Sequence, residues 1–443
     1  MNASCIVVAG LVAIVCIGAA PAPQGLDLSA GFSVAARVED RGASARVVEV
    51  AGAAALRLDF RADGEWPGAF IKAPAGRWNL SDFDRVQMDV ENPGKESARV
   101  MLRVDNPGAD GQRNCNTDGV TVAAGQRSTL TVTFGKSWGG AGFAIDPSNI
   151  VGLLVFLDHP KAAQSLVISN VRAAGQVVDR PDWVGQRPPV PGDWRQTLNE
   201  NFDGEKLNTN LWNTRLNWDG PLDDALQAYA ASEISVGAGM LKIAVEKKTT
   251  HQYDDPKLPT RPYASAIITT YDKFTQRYGY FEALIKMPTA RGLWPAFWMM
   301  PDRGPQAGEW WRRASTSDGA NEVDIMEHLT EWGPGRYNVA THWDGYGKDH
   351  KSWGNSQVTY ERTRDGYHAF GLLWEPGRMT FYCDGEKEVT WESDKVSNVP
   401  TYLKLCVQMG GWATKNVDDA ALPDAMLAKY VRVWQRADMA GKQ

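Results

Sequence analysis

Apolar residues along this chain alternate with polar ones far more often than they recur every three or four positions. Runs of this kind include Ala54–Phe60, Arg85–Val90, Arg99–Val104, Ser128–Phe134 and Ile150–Leu157. Turn formers such as Asn92-Pro93-Gly94 and Asn106-Pro107-Gly108 separate them. Side chains on a strand point alternately to opposite faces, so these runs predict half-buried strands. Regularly spaced strands divided by turns predict a β-sandwich over residues 25–175. A Pro-studded stretch then runs from Arg180 to Trp194, and predicts a stiff, extended linker over residues 176–194. Strand-like runs resume beyond it at Leu241–Val245, Ala264–Thr270, Gly279–Met287, Val323–Met326, Met379–Cys383 and Tyr430–Trp434. Sustained helical periodicity, internal repeats and low-complexity tracts are missing, so an all-β protein is expected, with a second, larger β-sandwich over residues 195–437.

Length and charge narrow the function. A chain of 443 residues is long enough for two domains with full cores. A net charge of -6 argues against a polyanion partner such as nucleic acid. The first charged residue is Asp27, and Ile6–Ala20 before it is apolar, too short for a comfortable membrane span. Residues 1–24 are therefore read as a signal peptide and the protein as secreted, extracellular or periplasmic, although no Lys or Arg marks the start. No later segment is apolar enough to span a bilayer. Cys115, Cys383 and Cys406 remain after such a cut; Cys383 and Cys406 could form one disulfide, and buried free thiols fit equally well.

Tryptophan is the unusual component: 18 residues, thirteen of them after Trp194. Indole offers a flat apolar face and an N–H donor, which suits the C–H faces and hydroxyls of sugars as well as it suits a core. No His is followed by Glu in a zincin pattern, and Gly135-Lys136-Ser137 lacks the upstream glycine of a phosphate-binding loop.

The chemistry concentrates in Asn321-Glu322-Val323-Asp324-Ile325-Met326-Glu327-His328. Simple alternation puts Glu322 and Asp324 on one face and Glu327 on the other. One extra residue, a β-bulge, would turn Glu327 to the same side. Two carboxyls on one face are what a retaining glycosidase needs: one attacks the anomeric carbon, and a second, about 5–5.5 Å away, protonates the leaving oxygen and later deprotonates a water. Asp324 between them would help keep a neighbour protonated. An exposed acidic edge strand fits the same eight residues. A metal site of Asp324, Glu327, His328 and His342 is a further reading, unsupported by any His-x-His or Cys spacing.

The run Glu322–Glu327 resembles the bulged E-x-D-x-x-E signature of family-16 glycoside hydrolases, the laminarinase, agarase and carrageenase group. The likeness extends over residues 195–436. It includes Asp223–Tyr229, Ser265–Phe274, Tyr278–Met287, Gly292–Met300, Tyr367–Glu375, Phe381–Gly385 and Tyr430–Trp434, in the family's order. Several ordered motifs are far more specific than one. The resemblance implies a jelly-roll of two curved antiparallel sheets with a cleft across the concave one. It implies Glu322 as nucleophile, Asp324 as its assistant, Glu327 as acid/base, and endo cleavage of a polysaccharide by a monomer. Trp294 matches a cleft tryptophan of the family. Trp298, His342, Trp343, Trp412 and Trp218 are expected to contact sugar or to brace the cleft.

Three departures bear on function. Asn201 and Lys429 stand where the family's structural calcium site often has acids, so no calcium, and no other cofactor or metal, is expected. Pro301–Asn321 is a polar insertion carrying Glu309-Trp310-Trp311-Arg312-Arg313, either an overhang that sets substrate preference or a surface loop. Ile267 stands where an Arg is frequent. β-1,3-glucan of the laminarin type is the favoured substrate. A galactan such as agar, porphyran or carrageenan is the alternative, with Arg312, Arg313 and Arg336 as a partly basic cleft. Transglycosylation uses the same residues. A non-catalytic glucan-binding protein is the reading from another class, and such proteins should lack one or both glutamates. The N-terminal sandwich is read as a carbohydrate-binding module, with Trp66, Trp78 and Trp138 as a platform, or as a spacer.

Overall fold

The alternation along the chain is realised as two β-sandwiches with separate cores. The computed structural model describes residues 24–26, 32–143, 145–175, 177, 179–217, 224–360 and 362–440. The signal-peptide reading of 1–24 therefore lies almost entirely outside the described residues. In the N-terminal unit, Ala53–Phe60 buries Leu56, Leu58 and Phe60 while Arg57 and Asp59 between them stay partly exposed. Arg85–Glu91 buries Val86, Met88 and Val90 in the same rhythm. These strands join Ala43–Val50, Gln164–Ala174, Arg127–Thr133 and Gln24–Gly25 in one sheet. The facing sheet contains Val38–Arg41, Gly68–Lys72, Gly152–Leu157, Ala98–Asp105 and Cys115–Val122. The inward residues of both sheets form one apolar core from Leu26 to Ala173.

The C-terminal unit is larger and built alike. Six strands form the sheet that carries the candidate chemistry: β1 (Ile267–Thr269), β2 (Leu293–Pro301), β3 (Glu322–Glu327), β4 (Arg336–Trp343), β5 (Lys351–Thr359) and β6 (Thr401–Met409). They are hydrogen-bonded in the order β1-β6-β2-β3-β4-β5. Behind this sheet stands an eight-stranded one centred on Asp424–Arg436, Gly279–Lys286 and His368–Glu375. Phe281, Phe297, Val323, Phe370, Trp374, Phe381 and Leu405 meet between the two sheets with essentially no exposure. This is the expected all-β jelly-roll.

Local departures have physical reasons. Ala264–Thr270 is broken in two. Tyr263–Ser265 pairs in parallel with Gln227–Tyr229, and only Ile267–Thr269 joins the sheet. The Pro-studded segment is not a free extended linker. Arg180 pairs with Asp365 through both terminal nitrogens, at 2.8 and 2.9 Å. Val184 packs beside Leu284, Tyr367 and Tyr430, and Val190 and Trp194 beside Tyr280 and Trp434. Its apolar residues thus lie against the outer face of the eight-stranded sheet. The two units also touch. Gly135, at φ +79°, lies so close to Pro334 that a Cβ there would be 2.2 Å from its ring. Arg113 pairs with Asp418 at 2.8 Å. The three described cysteines are free thiols: Cys383 faces the inter-sheet core, whereas Cys406 lies on β6 in a separate apolar cluster with Ile267 and Ala296, so no bridge joins them.

Candidate active site

The bulge on β3 decides which side chains share a face. Trp298 of β2 pairs with Asp324, but the next pair is Phe297 with Met326, so Ile325 is the extra residue. Val323, Ile325 and Met326 all enter the inter-sheet core. Their burial pins the register, and Glu322, Asp324 and Glu327 are turned to the opposite, outer face. Register then builds the surroundings. Across β4, Glu322 pairs with His342, Asp324 with Ala340 and Glu327 with Asn338. Across β2, Ala296 pairs with Glu327, and β6 follows with Cys406 opposite Ala296, Lys404 opposite Trp298 and Gln408 opposite Trp294.

Each acid has different partners. Trp294 Nε1 donates to Glu327 Oε1 at 3.0 Å, and Asn338 Nδ2 donates to Oε2 at 2.8 Å. Burial, and then the Asp324 charge, push the Glu327 pKa up to about 8, against those two hydrogen bonds. Glu322 accepts from the Tyr346 hydroxyl. It is partly exposed, yet desolvation by the surrounding protein is still the main cause raising its pKa, with Asp324 second and the cations of His342 and Lys404 opposing. Asp324 is 3% exposed and is raised first by burial, with Lys404 opposing. His342 Nε2 lies 3.4 Å from Asp324 Oδ2, and its Nδ1 is 2.9 Å from His350 Nε2, the two rings stacked at 5.1 Å. One oxygen each of Glu322 and Asp324 and one His342 nitrogen lie within 4.8 Å of one another.

An aromatic cluster borders these acids at one end. Beyond Glu327, the Trp412 ring, 46% exposed, stands edge-on to Trp294 at 5.8 Å and to Trp332 at 5.2 Å. Beyond Glu322 stands the Pro301–Asn321 insertion, with a single helical turn at Trp310–Arg313. Arg313 fastens it, bonding Asp302 at 2.5 and 2.8 Å and Asp272 at 2.8 Å. Trp310 and Trp311 are left largely exposed. The insertion is therefore an anchored wall rather than a loose loop.

Several expectations need correction. Trp343 follows His342 on β4, so it points the other way; it stacks on Trp391 at 5.4 Å and packs against the inter-sheet core, away from any sugar. Trp78 is 6% exposed and belongs to the N-terminal core, so it is no platform, whereas Trp66 and Trp138 are 45% and 55% exposed. His328 does not join the acids: its Nδ1 is 2.8 Å from the Arg336 carbonyl, its ring meets Trp332 edge-on, and burial pulls its pKa down to about 4. The four-residue metal set therefore does not assemble. The basic-cleft argument also weakens. Arg313 is consumed by Asp302 and Asp272, and Arg336 donates to the Ser356 carbonyl and lies 4.2 Å over Trp332. Trp218 lies outside the described residues.

The sequence reading missed Asn338, Tyr346, His350 and Lys404. Asn338 was legible, because it precedes His342 by four on the same strand and so shares its face. Lys404 was also legible, as a lone charge inside Tyr402-Leu-Lys-Leu-Cys-Val407. Tyr346 and His350 sit in a turn and carry no periodic signal.

The family calcium position holds cations of the protein itself. Arg432 donates to Asn201 Oδ1 at 2.8 Å, and Lys429 sits 3.3 Å from Asp365 and 4.1 Å over the Tyr367 ring. These residues do not fit a calcium ion.

Comparison with known proteins agrees with this architecture. Residues 227–432 match the model of glycosyl hydrolases family 16. The C-terminal unit is thus similar to the glycosyl hydrolases of family 16. The chain is 25% identical over 259 residues to the beta-glucanase of Rhodothermus marinus, covering 55% of this chain and 85% of that protein. It is 28% identical over 264 residues to glucan endo-1,3-beta-glucosidase A1 of Niallia circulans, covering 53% of this chain but only 37% of that protein. Among solved structures, the laminarinase catalytic domain of Thermotoga maritima MSB8 is 25% identical, covering 55% of this chain and 98% of that one at a TM-score of 0.46. No helix among the described residues is long and apolar enough to cross a membrane.

Proposed function

We propose that this protein is a secreted retaining endo-β-glycosidase acting on β-1,3-glucan. One observation carries the reading: the bulged strand turns Glu322, Asp324 and Glu327 to one face, with the first and last in different surroundings. Glu327, uncharged below about pH 8 and gripped by Trp294 and Asn338, suits the general acid. Glu322, next to the cations of His342 and Lys404 and touched by Tyr346, suits the nucleophile. Asp324 lies close enough to Glu322 for its charge to raise the Glu322 pKa. When Glu322 becomes a neutral glycosyl ester, a negative neighbour disappears, and Glu327 is freed to act as base on the incoming water. Trp294, Trp412 and Trp332 offer flat faces to a sugar chain at one end of this constellation, and Trp298 and His342 lie on its floor.

The β-1,3-glucan preference rests on the glucanase activities of the relatives and on the engagement of Arg313 and Arg336 elsewhere, which leaves Arg312, exposed over Trp311, as the remaining arginine of the three for a sulfated galactan. The test is product release from laminarin, mixed-linkage glucan, agarose, porphyran and κ-carrageenan, followed by proton NMR. Release of internal oligosaccharides from laminarin, first formed as the β-anomer, is expected. Release of the α-anomer first would overturn retention, and cutting of a galactan alone would overturn the substrate.

The N-terminal sandwich is assigned as a carbohydrate-binding module through Trp66 and Trp138. Trp66 is braced edge-on by Phe156 and His159 at 5.9 and 4.4 Å, which leaves its outer face to solvent. Replacing both by Ala in the full chain should weaken retention on insoluble glucan about tenfold and leave turnover of short soluble oligosaccharides unchanged. Unchanged retention would make the unit a spacer.

A further inference from the structure

Three carboxyls on one face of a sheet repel one another, and each is resisted by burial. A nucleophile among them must nevertheless be ionised. Something must supply positive charge from within the fold, and the sheet register shows what does. Lys404 lies in the middle of β6 with no exposure, among Tyr402, Leu403, Leu405 and Cys406. Its strand partner on one side is Thr269, and on the other Trp298, which in turn pairs with Asp324. Lys404, Trp298 and Asp324 thus form one row across three strands. The ammonium sits 3.8 Å from the centroid of the Trp298 ring and 5.4 Å from that of Tyr402.

A buried ammonium is costly unless nearby negative charge and aromatic faces compensate it. Here the compensation comes from the acids themselves. The charged and titratable groups facing this part of the sheet are Tyr402 and Cys406 on β6, Glu322, Asp324 and Glu327 on β3, and His342 on β4. Burial pulls the Lys404 pKa down to about 7, against the opposing charges of Glu322, Cys406 and Asp324, so the ammonium is kept below that pH, where it lowers the pKa of both acids. It is not among the chief influences on Glu327. The His342 ring stacks on His350, with its Nδ1 2.9 Å from His350 Nε2. Ile267, on the neighbouring strand, faces the same way and supplies no charge.

We propose that Lys404 is a positioning residue that keeps the Glu322–Asp324 pair ionised, from beneath Trp298, without itself touching substrate. The assignment rests on the retaining reading above. It makes Lys404 act on one limb of the pH profile only. The acidic limb of kcat/KM reports ionisation of the nucleophile, and the basic limb reports loss of the proton on the general acid. Removing the cation raises the pKa of the pair, so the carboxylate fraction at a given pH falls.

The test is the pH dependence of kcat/KM on soluble laminarin for the full chain carrying Lys404→Met, Lys404→Gln or Lys404→Arg. Folding is checked by circular dichroism at pH 5, where the acids are protonated and the lost charge matters least. The neutral variants should show the acidic limb moved up by roughly one to two pH units. Activity at pH 6 should then fall about tenfold to a hundredfold and recover toward pH 8, with the basic limb unmoved. Lys404→Arg keeps the charge and should keep the wild-type acidic limb. A folded neutral variant that loses activity by the same factor at every pH, or keeps its acidic limb, overturns the inference. If neither neutral variant folds, Lys404→Arg decides, and an acidic limb displaced upward by a unit overturns it. A wild type that cuts no polymer, or a Glu322→Ala variant that still cuts laminarin, sinks the retaining reading instead, so the two failures are distinct.

Discussion

Glu322→Ala should lower polysaccharide cleavage by roughly ten-thousandfold or more, with binding retained. The shortened side chain leaves the anomeric carbon without an attacking group, while the aromatic side chains proposed to stack on sugar stay in place. The residue sits at the first position of β3 and contributes no apolar surface to the inter-sheet core, so folding should survive. The variant also tests stereochemistry. A small anion such as azide can occupy the space vacated by the carboxylate and attack an activated aryl β-glycoside from that side. The product should then be the α-glycosyl azide, formed with inversion. A β-glycosyl azide would mean that another group had formed the covalent intermediate, and the assignment of Glu322 would fail. Retention of more than about one per cent of wild-type cleavage on laminarin would remove Glu322 as the nucleophile. A wild type that cuts no polymer, with both forms binding glucan alike, would favour a glucan-binding protein.

Most of the fold was legible because one rule governs it. Val86, Met88 and Val90 enter the N-terminal core, and Val323 enters the C-terminal one, each as period-two alternation requires. The bulge was legible for a related reason. Glu322, Asp324 and Glu327 can share a face only if one residue is added, and the adjacent apolar pair Ile325-Met326 is what such an addition leaves behind. Alternation also marks Trp343 as a core residue once His342 is placed on the acidic face. What alternation cannot supply is tertiary placement of side chains outside strands. Tyr346 reaches Glu322 from a turn, and the insertion becomes a wall only because Arg313 finds Asp302 and Asp272, the latter 41 residues away. The Pro-studded segment misled for the opposite reason. Its composition describes a stiff chain correctly but says nothing of Val184, Val190 and Trp194 finding an apolar sheet to lie on.

The same geometry gives the acids their division of labour. Glu322 and Asp324 lie within reach of two cationic groups, His342 and Lys404, whereas Glu327 is held by two neutral donors, an indole and an amide. Burial raises the pKa of all three acids, so the kind of partner is what separates them: ionic neighbours oppose the rise at Glu322 and Asp324, and hydrogen bonds from an indole and an amide oppose it at Glu327. Environment, and not residue type, separates two glutamates five positions apart.

Glu327→Ala should therefore fail selectively, in a way no structural defect would imitate. Cleavage of laminarin needs protonation of a poor leaving group, and should fall about a hundredfold to ten-thousandfold. A dinitrophenyl glycoside leaves without help, so its kcat/KM should stay within about tenfold of wild type. Its kcat should still drop, because the covalent intermediate then waits for a water with no base to activate it. Azide needs no base, should restore turnover, and should yield the β-glycosyl azide, the opposite anomer to that from Glu322→Ala. The pH profile completes the argument. In the wild type, Glu327 is protonated below a pKa of about 8, so activity on polysaccharide should be lost as pH rises through that value. The variant has no such proton to lose, and its basic limb on the aryl substrate should vanish. If the aryl substrate and laminarin instead suffer equally, and azide rescues neither, Glu327 is not the acid/base, and its bonds to Trp294 and Asn338 would mark it as a brace for the groove floor.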